Sequence, residues 1–159
     1  MFLSEDTFST VIKSTPLVSI DLVVKNKQGR ALLGRRLNKP AKDYWFVPGG
    51  RIQKNESLSD AFKRLTQDEL GQQFNIKQAE LLGPFDHFYS DNVFGHQFST
   101  HYVAIAYVLI IDKDLSHLPI NVQHERYQWF ELDELLTSDK VHLHTKWYFN
   151  ESKYNNSNI

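Results

Sequence analysis

The sequence predicts an α+β fold, with helices packed against a mixed β-sheet. Three observations point there. Strand-like segments outnumber helical ones, the connections vary in length, and no regular strand–helix alternation marks a doubly wound sheet. The chain has 159 residues, enough for one domain with a sizeable core. Residues 1–159 therefore read as a single domain, with a polar tail from about residue 150 that is expected to fray.

The elements follow in order. Leu17–Lys25 (LVSIDLVVK) is apolar and β-branched, and reads as a strand. The NKQG turn returns the chain as a second strand, Arg30–Arg36. After a polar loop, Trp45–Val47 is a short apolar run stopped by Pro48-Gly49-Gly50, where backbone can approach a ligand closely. Asn55 or Ser57 can cap the next helix, with Asp60 completing a capping box on Ser57. Leu58, Ala61, Phe62 and Leu65 form its core-facing stripe, and Gly71 ends it. Ala79–Tyr89 and Thr100–Ile111 (THYVAIAYVLII) read as strands, the second being the strongest strand signal in the chain. Tyr127–Phe130 is a short strand, Leu132–Leu136 a short helix, and a final helix is expected over about 145–152.

Composition excludes several functions. The hydrophobic fraction of 41% is ordinary, and a net charge of −1 gives no broad basic surface for nucleic acid or membrane. The absence of cysteine removes disulfides, thiolate metal sites and a cysteine nucleophile, and it fits a reducing cytoplasm. The opening MFLSEDTFST has neither a basic flank nor an apolar run, so no signal peptide is expected. No apolar run approaches the roughly 18 residues of a membrane span.

The stretch GRIQKNESLSDAFKRLTQDELG, Gly50–Gly71, carries most of the chemistry. Its Glu56, Arg64, Asp68, Glu69 and Gly71 suit a hard cation such as Mg²⁺, which takes oxygen ligands and bridges to phosphate. The spacing resembles the box of the Nudix hydrolases, in which a loop and a helix hold a divalent metal against a diphosphate. The resemblance implies a Nudix fold, its mixed sheet sandwiched between helices. In that family the arginine at Arg64 orients the glutamate at Glu56. Where the family usually has a glutamate after the arginine, this chain has Leu65. Residues four apart share a helix face, so glutamates at the positions of Leu65 and Glu69 would together gather more than one metal. With leucine there, one tightly held cation is expected. Asp68 either pairs with Arg64 or adds a carboxylate for a second cation, and the sequence leaves both open.

STPLVSIDLVV (14–24), DYWFVPGGRIQKNE (43–56) and THYVAIAY (100–107) sharpen the match. With Leu65 they resemble the GDP-mannose mannosyl hydrolases, an atypical Nudix branch, over nearly the whole chain. The resemblance implies hydrolysis of GDP-mannose, or a related GDP-hexose, to GDP and free sugar. Water attacks the anomeric carbon with inversion. It implies one Mg²⁺ per subunit (Mn²⁺ is an alternative) on Gly49, Glu69 and Gln123, and His124 as general base, whose ordinary pKa suits the role. Arg36 and Arg51 match arginines on the diphosphate, where the guanidinium fork meets two oxygens at once. Asp21 matches an aspartate that steadies the cationic sugar. Tyr102 and His87 match residues near the leaving group. Phe2, Leu3 and Phe8 match an N-terminal segment that contacts nucleotide and, in a homodimer, can come from the partner subunit. Two alternatives remain at this level: a pyrophosphohydrolase attacking phosphorus, and a non-catalytic module that senses a nucleotide sugar.

Overall fold

The computed structural model describes residues 2–112 and 124–150, with 124–126 described through their backbone alone. A seven-stranded mixed sheet organises them. Strand β1 (Leu17–Asn26) lies at its centre and runs parallel to β6 (Thr100–Ile111) along its whole length. The β1–β2 turn forms because the Asn26 side chain accepts from the backbone N–H groups of Gln28 and Arg30, and Gly29 supplies a φ of 80°.

Strand β2 (Ala31–Arg36) leaves β1 soon after that turn. It pairs instead with β3 (Trp45–Phe46) and β7 (His124–Phe130). The space beside β1 is taken by β4 (Gly49–Arg51), with Asp21 opposite Gly49. On the far side β6 pairs antiparallel with β5 (Glu80–Tyr89), the free edge of the sheet.

Both faces are covered, which explains why β1 reads as a continuous apolar run. Ile20, Leu22 and Val24 of β1 face one cluster, under α2 (Leu58–Leu70), with Ala61, Phe62, Leu65 and Leu70. Val23 faces the other, with Leu135 of α3 (Leu132–Thr137) and Tyr148 of a 3₁₀ turn, Trp147–Phe149, that continues α4 (Leu143–Lys146). Fully burying a side chain such as Phe62 contributes about 2–3 kcal/mol.

Helix α2 starts at Ser57, whose hydroxyl oxygen accepts from Asp60 N–H, and it stops at Gly71 in the left-handed region. Three expectations are corrected here. The Ser57 hydroxyl donates to the Asp60 carboxylate at 2.7 Å, so Asp60 is held by the cap side chain instead of completing a reciprocal box. Leu58 sits in the first turn, 41% exposed, outside the buried stripe. The final helix begins earlier and is shorter than expected, because His142 caps it and its backbone tightens into the 3₁₀ turn. An additional helix, α1 (Glu5–Ser14), precedes β1, capped by Ser4 and with Glu5 and Asp6 in its first turn. Among the described residues no helix is long and apolar enough to cross a membrane.

Candidate active site

A cleft of about 730 Å³ opens where β2 splays from β1, between α1, β4 and the start of β6. Its walls collect most of the residues singled out by sequence: Asp21, Arg36, Gly49, Arg51, Glu69 and Tyr102. His87, Phe2 and Phe8 line it as well, whereas Leu3 does not.

At the box end, Gly49 is required by close approach. A Cβ there would collide with the carbonyl oxygen of Ile20 and stand 2.9 Å from Asp21 Oδ1. Arg64 ties the box loop to α2. Its Nε and Nη2 donate to the two carboxylate oxygens of Glu56 at 2.7 and 2.9 Å, and Nη2 also donates to the carbonyl of Arg51 at 3.0 Å. That fork holds the Glu56 carboxyl below its usual range. Asp68 Oδ2 lies 3.7 Å from Arg64 Nη1, so the i,i+4 pair forms, although Asp68 also lines the cleft.

Glu69 is a carboxylate only 2% exposed, and its Oε2 accepts from the hydroxyl of Tyr127 at 2.9 Å. Leu65, one turn before it, is buried at 3% exposure within the α2 cluster. Glu69, Asp68 and the glycine turn line the cleft and offer oxygen donors of the kind a hard cation takes, although among the described residues no group of three or more metal-ligating side chains gathers. The chemistry of these donors fits a divalent metal.

Arg36 ends β2 just after a register shift, and it lines the cleft where Arg35 does not. Its guanidinium lies 5.4 Å from the centre of the Phe46 ring. Its Nε is buried without a hydrogen-bond partner among the described residues. Arg51 stacks over Phe8 of α1 at 5.1 Å, and Phe8 meets Phe94 edge-on at 6.0 Å, so the chain's own α1 supplies the aromatic side of the mouth.

At the inner end Asp21 lies on a central strand between Gly49 and Ala106. Burial pushes its carboxyl up to about 6, against the pull of the Tyr148 hydroxyl and of Arg36. Tyr148 donates to Asp21 Oδ2 at 2.5 Å, and its oxygen is 3.1 Å from His87 Nε2. His87 is stacked flat on His144 at 4.3 Å. Burial pushes His87 down to about 3, His144 to about 2 and His142 to about 4, so all three rings are neutral. Burial also raises the pKa of Tyr102, opposite His87 on β6.

His124 enters β7 with its backbone opposite Arg36. Its side chain, and the whole of Gln123, lie outside the described residues. Sequence reasoning did not find Tyr127, Tyr148, His142 or His144. Tyr127 and Tyr148 act across the sheet, and each sits far along the chain from the carboxylate it holds.

The fold and the box-lined cleft are those of a Nudix hydrolase. The sequence profile of the NUDIX domain matches residues 15–150. The chain belongs to the Nudix family, whose hydrolases generally use a divalent cation such as Mg²⁺. Agl8, a low-salt glycan biosynthesis protein of Haloferax volcanii, is 40% identical over 127 residues, which span 80% of this chain and 78% of that protein. A MutT Nudix hydrolase from Burkholderia pseudomallei superposes with a TM-score of 0.69 at 26% identity, over 86% of this chain and 97% of that one. The Nudix domain of Shewanella oneidensis NrtR, solved with ADP ribose, shares the fold at a TM-score of 0.63 and 20% identity, over 92% and 96% of the two chains.

Proposed function

We propose that the protein hydrolyses GDP-mannose, or a closely related GDP-hexose, to GDP and free sugar. Water attacks the anomeric carbon with inversion. The observation that carries this reading is Leu65. Its side chain is packed among Ile20, Leu22 and Phe62, and the helix face beside Glu69 that carries a second carboxylate in the usual box is apolar here. Attack at phosphorus calls for a metal-activated nucleophile as well as charge neutralisation, whereas attack at carbon needs only the second.

Gly49, Glu69 and Gln123 would hold one Mg²⁺. When bound, the ion supplies positive charge against the departing diphosphate. Arg36, whose Nε has no partner among the described residues, and Arg51, across the glycine turn, neutralise the same growing charge. His124 takes the proton from water. Asp21 lies across the cleft as a negative charge of the right sign for an oxocarbenium-like sugar. Tyr102 and His87 border the leaving group. The 40% identity to a glycan biosynthesis protein favours a sugar-bearing substrate.

One observation favours a second reading. Asp68 lines the cleft beside Glu69 and is only loosely paired with Arg64, so a second cation has one candidate ligand for cleavage at phosphorus. Chromatography of the products after incubation with GDP-mannose and Mg²⁺ separates the two. GDP and mannose are expected; GMP and mannose 1-phosphate would overturn the first reading in favour of the second. No turnover, with tight binding retained, would instead indicate a sensing module.

A further inference from the structure

Tyr148 is 4% exposed and lies behind the cleft wall, without lining the cleft itself. Its ring meets Phe85 edge-on at 4.8 Å, within the apolar cluster under α3 and α4. Its hydroxyl nevertheless reaches the one carboxylate on the central strand, at 2.5 Å. The same oxygen is 3.1 Å from His87 Nε2. A phenol has one proton, so with Asp21 ionised that proton goes to the carboxylate and His87 donates from Nε2. The tautomer of His87 is thereby fixed.

The ring of His87 cannot swing away. It is 3% exposed and lies on His144 at 4.3 Å with an 11° tilt. His144 is wedged in turn against Tyr89 at 4.8 Å and Trp147 at 4.7 Å. The result is a buried line in which stacked imidazoles hold a phenol and the phenol holds a carboxylate. One carboxylate oxygen, Oδ2, is engaged from behind, while Oδ1 lies next to Gly49 at the cleft.

We propose that Tyr148, backed by His87, is the positioning residue for Asp21, fixing Oδ2 from behind the wall so that Oδ1 is presented to the sugar. This rests on the reading above that Asp21 steadies the reacting sugar. Because Tyr148 stands outside the cleft, loss of its hydroxyl removes no substrate contact. It frees the carboxylate to rotate, and small misplacements of a reacting group cost up to about 10²-fold in rate.

The test is steady-state kinetics on GDP-mannose with Mg²⁺ for Tyr148→Phe, Asp21→Asn and the double variant, each with its Tm. Phenylalanine keeps the ring and its contact with Phe85. We expect Tyr148→Phe to lose about 10- to 100-fold in kcat with KM within about twofold. The double variant should be no slower than Asp21→Asn, since the two act as one unit. Insertion of 4-aminophenylalanine at 148, which restores a donor on the same ring, should recover most of kcat. Full kcat in Tyr148→Phe beside an impaired Asp21→Asn, additive losses in the double variant, or no recovery with the amino analogue would overturn the proposal. Full kcat in Asp21→Asn would overturn the reading of Asp21 itself.

Discussion

At the box end of the cleft, the polar side chains come largely from one continuous stretch, Gly50–Gly71, and range from the buried Glu69 to the exposed Asp68: Arg64 forks onto Glu56 and reaches Asp68. At the inner end, Asp21, His87 and Tyr148 come from β1, β5 and the last described turn, and His87 and Tyr148 are buried among rings. The two ends divide charge pairing from buried hydrogen bonding. The box end is tied by ion pairs set within one local stretch, whereas the Asp21 carboxylate is oriented by a hydrogen bond from a residue distant in the sequence, in surroundings of lower dielectric.

Substitutions can break that division. The largest effect is expected for Glu69→Gln, which keeps the shape but removes the buried charge: turnover should fall by at least about 10²-fold, with the Mg²⁺ requirement sharply raised. An unchanged Mg²⁺ titration would place the metal elsewhere. Tyr127→Phe should be milder. It leaves Glu69 in place but removes the Tyr127 hydrogen bond to its Oε2, and the Mg²⁺ concentration for half-maximal activity should rise about 10- to 100-fold. A shift confined to Tm would reduce Tyr127 to packing.

The smallest effect concerns stability at the inner end. His87, His142 and His144 have pKa values depressed to about 3, 4 and 2 in the fold. Below pH 6.5 the unfolded chain therefore binds protons that the folded chain does not, and stability is lost as pH falls from 6.5 toward 4. Asp21 acts in the opposite sense, because its raised value of about 6 lets the folded chain hold a proton that the unfolded chain has lost above 3.8. Three histidines outweigh one aspartate, so these four groups should give a net loss of stability as pH falls between pH 6 and 4. His144→Phe keeps a flat ring on His87 while removing one titrating group and a buried Nδ1 that has no partner among the described residues. Its unfolding free energy should exceed that of the wild type by about 1 kcal/mol at pH 7, with a shallower acid slope. Parallel pH profiles for the two proteins would contradict this account of the buried rings.

The same contrast decides what was legible in the sequence. Strand β6 is found at its expected bounds, because a long run of β-branched, aromatic and aliphatic residues over Thr100–Ile111 favours a strand. Helix α2 is placed correctly at its ends because its Ser57 cap and terminal glycine are local, although Leu58 falls outside its buried stripe and Asp60 completes no capping box. Ser57 takes the cap over Asn55, whose backbone is left-handed at φ 68°. Helix α1 was legible from Ser4, Glu5 and Asp6 at its start, Phe8, Val11 and Ile12 on one face and Lys13 at its end, yet it was not among the expected elements. The box residues fall together as expected because one turn and one helix set them. Tyr148 could not be read as a site residue, since it meets Asp21 only through the folded sheet, and Tyr127 meets Glu69 in the same way.

The account depends on where the bond breaks. Turnover of GDP-mannose in H₂¹⁸O with Mg²⁺, followed by mass spectrometry of both products, tests it most directly. Label on C1 of the released mannose, with unlabelled GDP, is the predicted result. Label in a phosphate group would contradict it.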